Sequence, residues 1–279
     1  MSLPLTPRLD QAFATPRAQR AALIPYLTGG HPDLKTSHRL IETLIDSGAD
    51  IVELGIPFSD PIADGPVVQQ STHQALLAGV TADDVLQLAA AHSPHVPFVL
   101  LTYLNPVLAY GPERFFANAA EAGVEALVIP DLPLDEALAP GGDTAAAQGG
   151  LMALAAAHRI GLVPMATPTS TDARLDMLAE AATSFVYCVA VTGVTGARRD
   201  VGTDLPGLIR RLRTRTGAPL AVGFGISTPE QARGVARLSD GVIIGSALID
   251  LITRSADADS ACAAVAKLMK AASSAIRRG

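Results

Sequence analysis

The stretch IVELGIPFSDPIADGP, residues 51–66, puts three carboxylates where acid–base chemistry can use them. Glu53 interrupts an apolar run of Ile51, Val52, Leu54 and Ile56. Asp60 and Asp64 follow in a loop built with Pro57, Pro61, Gly65 and Pro66. A glutamate on a buried strand is costly as an anion unless it is paired. Desolvation raises its pKa, which suits a group that must give up a proton near neutrality. The plainer alternative is a structural glutamate bonded to a neighbouring tyrosine or threonine, and either aspartate could simply shape the turn. Position favours chemistry for Glu53, because its strand runs straight into the Pro/Asp loop.

A second set of residues suits an anion. Glycine-rich stretches lie late in the chain: VTGVTGARRD at 191–200, GFGIS at 223–227 and GSAL at 245–248. Glycines let backbone N–H groups approach a phosphate, and a helix start adds a favourable dipole. One such stretch would fit a tight turn equally well, but three at neighbouring strand ends point to a phosphate grip.

The absences narrow the chemistry. The lysines are Lys35, Lys267 and Lys270, none at a strand end, which argues against a Schiff base. The six histidines show no clustered ligand spacing, so no zinc site is expected. Cys188 and Cys262 sit in apolar segments and form no disulfide framework. Net charge is −6 without a long basic run, which argues against nucleic acid as a partner. No apolar run approaches the ~20 residues of a membrane span, and the N-terminal segment has no signal-peptide core. The expected location is the cytoplasm. What remains is a phosphate grip with carboxylate acid–base catalysis. Cleaving a carbon–carbon bond with those tools requires a substrate that carries its own electron sink.

These residues need a scaffold that brings strand ends together. Eight apolar runs recur: 23–28, 51–56, 98–103, 126–131, 161–166, 185–191, 220–226 and 241–248. They do not alternate apolar with polar, as expected for strands buried on both faces of a parallel sheet. Amphipathic segments at 34–48, 112–123, 171–182, 204–217 and 228–239 lie between them. A further helix is expected at 81–92, after strand two, and Thr6-Pro7 suggests a short capped helix ahead of the first strand. The echoes DSGADIVELG, EAGVEALVIPD and RLSDGVIIGS add a faint internal repeat. Together they indicate one (β/α)₈ barrel domain over residues 1–279, with its site at the C-terminal strand ends. The rival, a doubly wound open sheet, lacks the nucleotide-binding glycine fingerprint after strand one. Gly141–Gly150, GGDTAAAQGG, reads as a surface insertion after strand four or as an Ala-rich first helical turn.

LIPYLTGGHPD, GADIVELGIPFSDPIADGP, TGVTGAR, GFGIS and IIGSAL, in this order from about Leu23 to Ile252, resemble the motifs of the tryptophan synthase α chain family. The resemblance implies a TIM barrel that cleaves indole-3-glycerol phosphate to indole and glyceraldehyde 3-phosphate. It implies no cofactor in this chain and a β-chain partner carrying pyridoxal phosphate, in an α2β2 heterotetramer. Residue by residue, Glu53 matches the acid–base glutamate, Asp64 the aspartate that bonds the indole N–H, and Tyr187 a tyrosine beside them. Tyr26, Leu101 and Phe224 match the indole pocket; Gly196, Gly225, Gly245 and Ser246 match the phosphate site. Asp60, Pro61 and the Asn105-Pro106 turn are expected at the partner interface. One departure is Val191, where the family often has arginine, which bears on loop closure more than on chemistry. The rivals are a stand-alone lyase releasing free indole, a non-catalytic phosphate-ester-binding barrel, and a sugar-phosphate isomerase of the same fold.

Overall fold

The computed structural model describes residues 7–17, 20–133, 137, 150–189, 204–223 and 225–277. Nine short strands pair in parallel throughout: β1 (Ala22–Thr28), β2 (Val52–Gly55), β3 (Phe98–Leu101), β4 (Val124–Val128), β5 (Gly161–Leu162), β6 (Met165–Ala166), β7 (Val186–Val189), β8 (Leu220–Gly223) and β9 (Gly241–Ile244). Their order is β5-β4-β3-β2-β1-β9-β8-β7-β6. The two ends of that order, β5 and β6, are consecutive pieces of chain, so the sheet closes on itself as a TIM barrel. They are the fifth expected strand, broken at Pro164. Proline has no N–H to give a ladder. Val163 still donates to the Leu127 carbonyl, and the Pro164 carbonyl still accepts from Tyr187. Beyond Leu162 no strand pairing joins β4 to the fifth strand.

The helices among the described residues are α1 (Pro7–Arg17), α2 (Leu34–Asp46), α3 (Pro66–Leu77), α4 (Ala82–His92), α5 (Leu104–Tyr110), α6 (Pro112–Glu121), α7 (Gly150–Ala157), α8 (Asp172–Ala181), α9 (Leu205–Arg213), α10 (Pro229–Ala236), α11 (Ser246–Arg254) and α12 (Ala258–Ala275). Their starts follow local chemistry. Asp33, Thr171 and Asp204 accept from backbone N–H groups in the first turn, while Thr81, Thr228 and Asp257 complete capping boxes. The expected N-terminal helix is α1. Leu9 and Phe13 seal the N-terminal end of the barrel, where the Phe13 and Phe185 rings stand 5.4 Å apart.

Two expectations about elements are corrected. The last strand ends at Ile244, not 248, because Ser246 already opens α11. Asn105-Pro106 is not a free turn but the first turn of α5, where proline's missing N–H does no harm. Of the Gly141–Gly150 stretch, 141–149 lie outside the described residues, and Gly150 opens α7.

Candidate active site

Side chains of a strand alternate between its faces. Ile24, Ile51, Val99, Ala126, Val163, Phe185 and Ala221 fill the barrel interior. Two residues further along their strands, at the C-terminal end, come Tyr26, Glu53, Leu101, Val128, Met165, Tyr187 and Gly223. Backbone register sets Tyr26 opposite Glu53 and Glu53 opposite Val99. The carboxylate inside the apolar run therefore points into the barrel mouth. The tyrosines lean over glycines of the next strand: a Cβ on Gly55 would stand 2.3 Å from the Tyr26 hydroxyl, and one on Gly223 2.2 Å from that of Tyr187.

Glu53 is 2 % exposed, and its Oε1 has no hydrogen-bond partner among the described residues. Burial, and then the Asp64 charge, push its carboxyl up to about 8. Asp64 stands at about 6, raised by burial and held back by a hydrogen bond from Tyr103. The order is physically coherent: Asp64 ionises first, and its charge adds to the cost of ionising Glu53. Near neutrality the pair holds one proton on Glu53 and one negative charge on Asp64. Burial also raises the Tyr26 and Tyr187 phenols, so both remain protonated donors.

The Asp64 loop is tied down by residues outside it. Tyr103, at the end of β3, accepts from the Ala63 N–H at 3.1 Å while its hydroxyl bonds Asp64. Gln69 of α3 donates to the Asp64 carbonyl at 2.9 Å and to the Pro61 carbonyl at 3.4 Å. On the other side, Tyr26 Oη lies 3.3 Å from Thr28 Oγ1, which lies 2.6 Å from Ser71 Oγ of α3. Tyr103 was not among the residues expected at the site. Its signal was its place in LLTYLNP, just past a strand end.

Glu53 and Asp64 open on a cavity of about 270 Å³. Tyr26, Leu101, Tyr187, Gly225, Gly245 and Ser246, all expected here, line it as well; Pro130, Met165, Ile226 and Ile243 complete an apolar wall that sequence reading did not name. Gly225 has φ +72°, a conformation that favours glycine. Gly245 precedes α11 without a side-chain cap, and it lines the cavity together with Ser246, so the first turn of that helix begins at the cavity wall. The expected Phe224, Gly196 and Val191 lie outside the described residues. At the rim Asp60 and Asn105 are exposed and Pro61 and Pro106 half-buried, with Ile62 79 % and Leu108 51 % exposed close by in the chain.

Elsewhere, His38 Nδ1 and His92 Nε2 meet at 2.9 Å between α2 and α4. Among the described residues no group of three or more His, Cys, Asp or Glu is placed to hold a metal ion, and no helix is long and apolar enough to cross a membrane.

Comparison with known proteins adds an independent line. Residues 13–277 match the family described as tryptophan synthase alpha chain. The chain is similar to the tryptophan synthase alpha chain of Pelobacter propionicus, 45% identical over 232 residues, 82% of this chain and 83% of that one. It is similar to that of Gluconacetobacter diazotrophicus, 42% identical over 256 residues, 90% and 89% of the two chains. A solved structure of Mycobacterium tuberculosis tryptophan synthase superposes with a TM-score of 0.85 at 37% identity, covering 98% of this chain and 99% of that one.

Proposed function

The chain belongs to the tryptophan synthase alpha chain family, whose α subunit cleaves indole-3-glycerol phosphate in tryptophan synthesis, and on that premise we propose that it is a carbon–carbon lyase whose chemistry rests on Glu53 and Asp64. The observation that carries this is the meeting of a protonated Glu53 and an ionised Asp64 on one cavity that Gly225, Gly245 and Ser246, at the start of α11, also line.

Glu53 gives its proton to ring carbon C3 of the indole. The ring becomes an indolenium, the electron sink that a lysine would otherwise supply. Asp64 accepts the indole N–H and stabilises the positive charge at nitrogen. Glu53, now ionised, takes the proton from the glycerol hydroxyl next to C3. The bond between C3 and that carbon breaks, its electrons return to the ring, indole and glyceraldehyde 3-phosphate leave, and Glu53 ends protonated as it began. Tyr187 and Tyr26 keep the Glu53 side of the cavity closed to water. Gly225, Gly245 and Ser246, with Gly196, hold the phosphate. Tyr26, Leu101 and Phe224 enclose the indole.

The partner of the family is a β chain. We place it on the rim formed by Asp60, Pro61, Asn105 and Pro106, where exposed Ile62 and Leu108 supply apolar surface, in an α2β2 heterotetramer within the cytoplasm. Pyridoxal phosphate would belong to that partner and none to this chain, which we read as a single barrel domain. The test is incubation of the purified chain with indole-3-glycerol phosphate, alone and with the β chain. Indole and glyceraldehyde 3-phosphate should form in equal amounts, at least tenfold faster with the β chain. No indole in either case overturns the reading; a fast chain that no β chain accelerates would make it a stand-alone lyase.

A further inference from the structure

A second cavity, of about 280 Å³, lies directly behind the wall of the first. Pro130 and Met165 line both. The cause is the break in the fifth strand. Pairing between β4 and that strand ends at Leu127 and Leu162, with the Val163 N–H donating to the Leu127 carbonyl. Past that point a slit lined by side chains of both segments, and not a ladder, lies between them. The second cavity occupies the outer side of this slit, walled by Ile129, Met152, Leu162 and Leu178 with Asp131 and Arg174 at its edge. Asp131 accepts from the Leu104 N–H at 2.8 Å, and apart from Asp131 and Arg174 the lining side chains are apolar.

The strand order says which part of a substrate meets this slit. The phosphate side of the first cavity is built at the ends of β8 and β9. The ends of β3 and β4, near Leu101 and Pro130, lie across the barrel from there, and β6 with Met165 stands next to them in the closed ring. A substrate with its phosphate on the first side therefore presents its ring to the second. Of the two residues in the slit, Pro130 is rigid. Met165 is half-buried and unbranched, a side chain that readily adapts its shape.

We propose that Met165 is a specificity-determining residue: it sets the depth of the aryl pocket, and the cavity behind it is a latent subsite for an apolar substituent on the benzo ring of the substrate. This rests on the function proposed above. Shortening Met165 joins the two spaces, and the joined pocket accepts a substituent that the parent pocket rejects. Differences of one methylene-sized group in an apolar pocket discriminate by about 10–200-fold, which sets the scale of the effect.

The experiment compares kcat/KM for indole-3-glycerol phosphate and its 4-, 5-, 6- and 7-bromo analogues in the parent protein, Met165→Ala and Met165→Ala/Ala181→Leu. Ala181 lines only the second cavity, where added bulk should refill the space. In Met165→Ala, kcat/KM for at least one bromo isomer, relative to the unsubstituted substrate, should rise tenfold or more. The added Ala181→Leu should return it to within threefold of the parent ratio. If Met165→Ala does not fold, Met165→Val reads the same effect at smaller size. Unchanged ratios in a variant that still cleaves the unsubstituted substrate overturn the proposal, as does a gain that Ala181→Leu leaves intact. If the parent protein fails on the unsubstituted substrate, the function itself is wrong and the subsite falls with it.

Discussion

Glu53 and Asp64 face the same cavity from two kinds of structure. Glu53 is part of a ladder, with β1 on one side and β3 on the other. Its position is fixed by backbone pairing, and it is buried away from water. Asp64 sits in a loop whose place depends on a few side-chain bonds from Tyr103 and Gln69. The difference shows in charge as well as in geometry. The ladder residue keeps its proton to about 8, whereas the loop residue, with a phenol donating to it, gives its proton up at about 6. One fold thus produces an acid and an anion from two carboxyl groups.

Removing the acid should have the largest effect. Glu53→Gln keeps the shape but cannot transfer a proton. General acid–base catalysis is commonly worth about 10²–10⁴-fold, and one group serves two steps here, so indole release should fall by at least about 10²-fold with substrate binding largely kept. Steady-state kinetics with calorimetric binding separates the two. Asp64→Asn comes next: a neutral amide stabilises the indolenium poorly, and turnover should drop by about 10²-fold. Asp60→Asn, at an exposed site whose carboxylate accepts from its neighbour Ser59, should change isolated-chain turnover by less than about threefold. The reverse order would mean that the two aspartates have been exchanged.

Tyr103→Phe tests the loop side of the comparison. It removes the hydroxyl that accepts from Ala63 and donates to Asp64. A hydrogen bond to a charged group contributes roughly 1.5–3 kcal/mol, so turnover should fall about tenfold. The Asp64 limb of the pH profile should also move upward, because that bond is what lowers its pKa. A loss of rate without movement of that limb would show that Tyr103 acts on packing alone.

The last effect is on stability, and its sign is the useful part. The folded pKa of Glu53 lies above its ordinary value of 4.5. Between 4.5 and about 8 the native state therefore binds more protons there than the unfolded chain, and stability falls as pH rises. Glu53→Gln removes that slope. Its melting temperature relative to the parent should be higher at pH 8 than at pH 5; equal differences at both would mean that Glu53 is not buried as an acid.

The same contrast explains what could be read in the sequence. Strands buried on both faces leave unbroken apolar runs, so the barrel and the anomaly of Glu53 were legible directly. The glycines at the ends of β8 and β9 were legible because backbone approach leaves few other residue choices. The helices α3, α5, α11 and α12 were not assigned. Segments such as ADSACAAVAKLMKAASSA have little contrast between faces, and LNPVLAY is too short to show a period. Tyr103 was missed because its bond to the Asp64 loop spans 40 residues of chain. Met165 was missed because Pro164 was read as part of one strand. The slit behind the pocket depends on where pairing with the neighbouring β4 ends.

The most direct test of the central claim is the pH dependence of kcat/KM for indole-3-glycerol phosphate, measured on the purified chain. A protonated Glu53 and an ionised Asp64 are required together. The rate should rise as Asp64 ionises through about pH 6 and fall as Glu53 loses its proton through about pH 8. A profile that stays flat between pH 5 and 9, or that keeps rising past pH 8, would contradict the assignment of the two carboxyl groups.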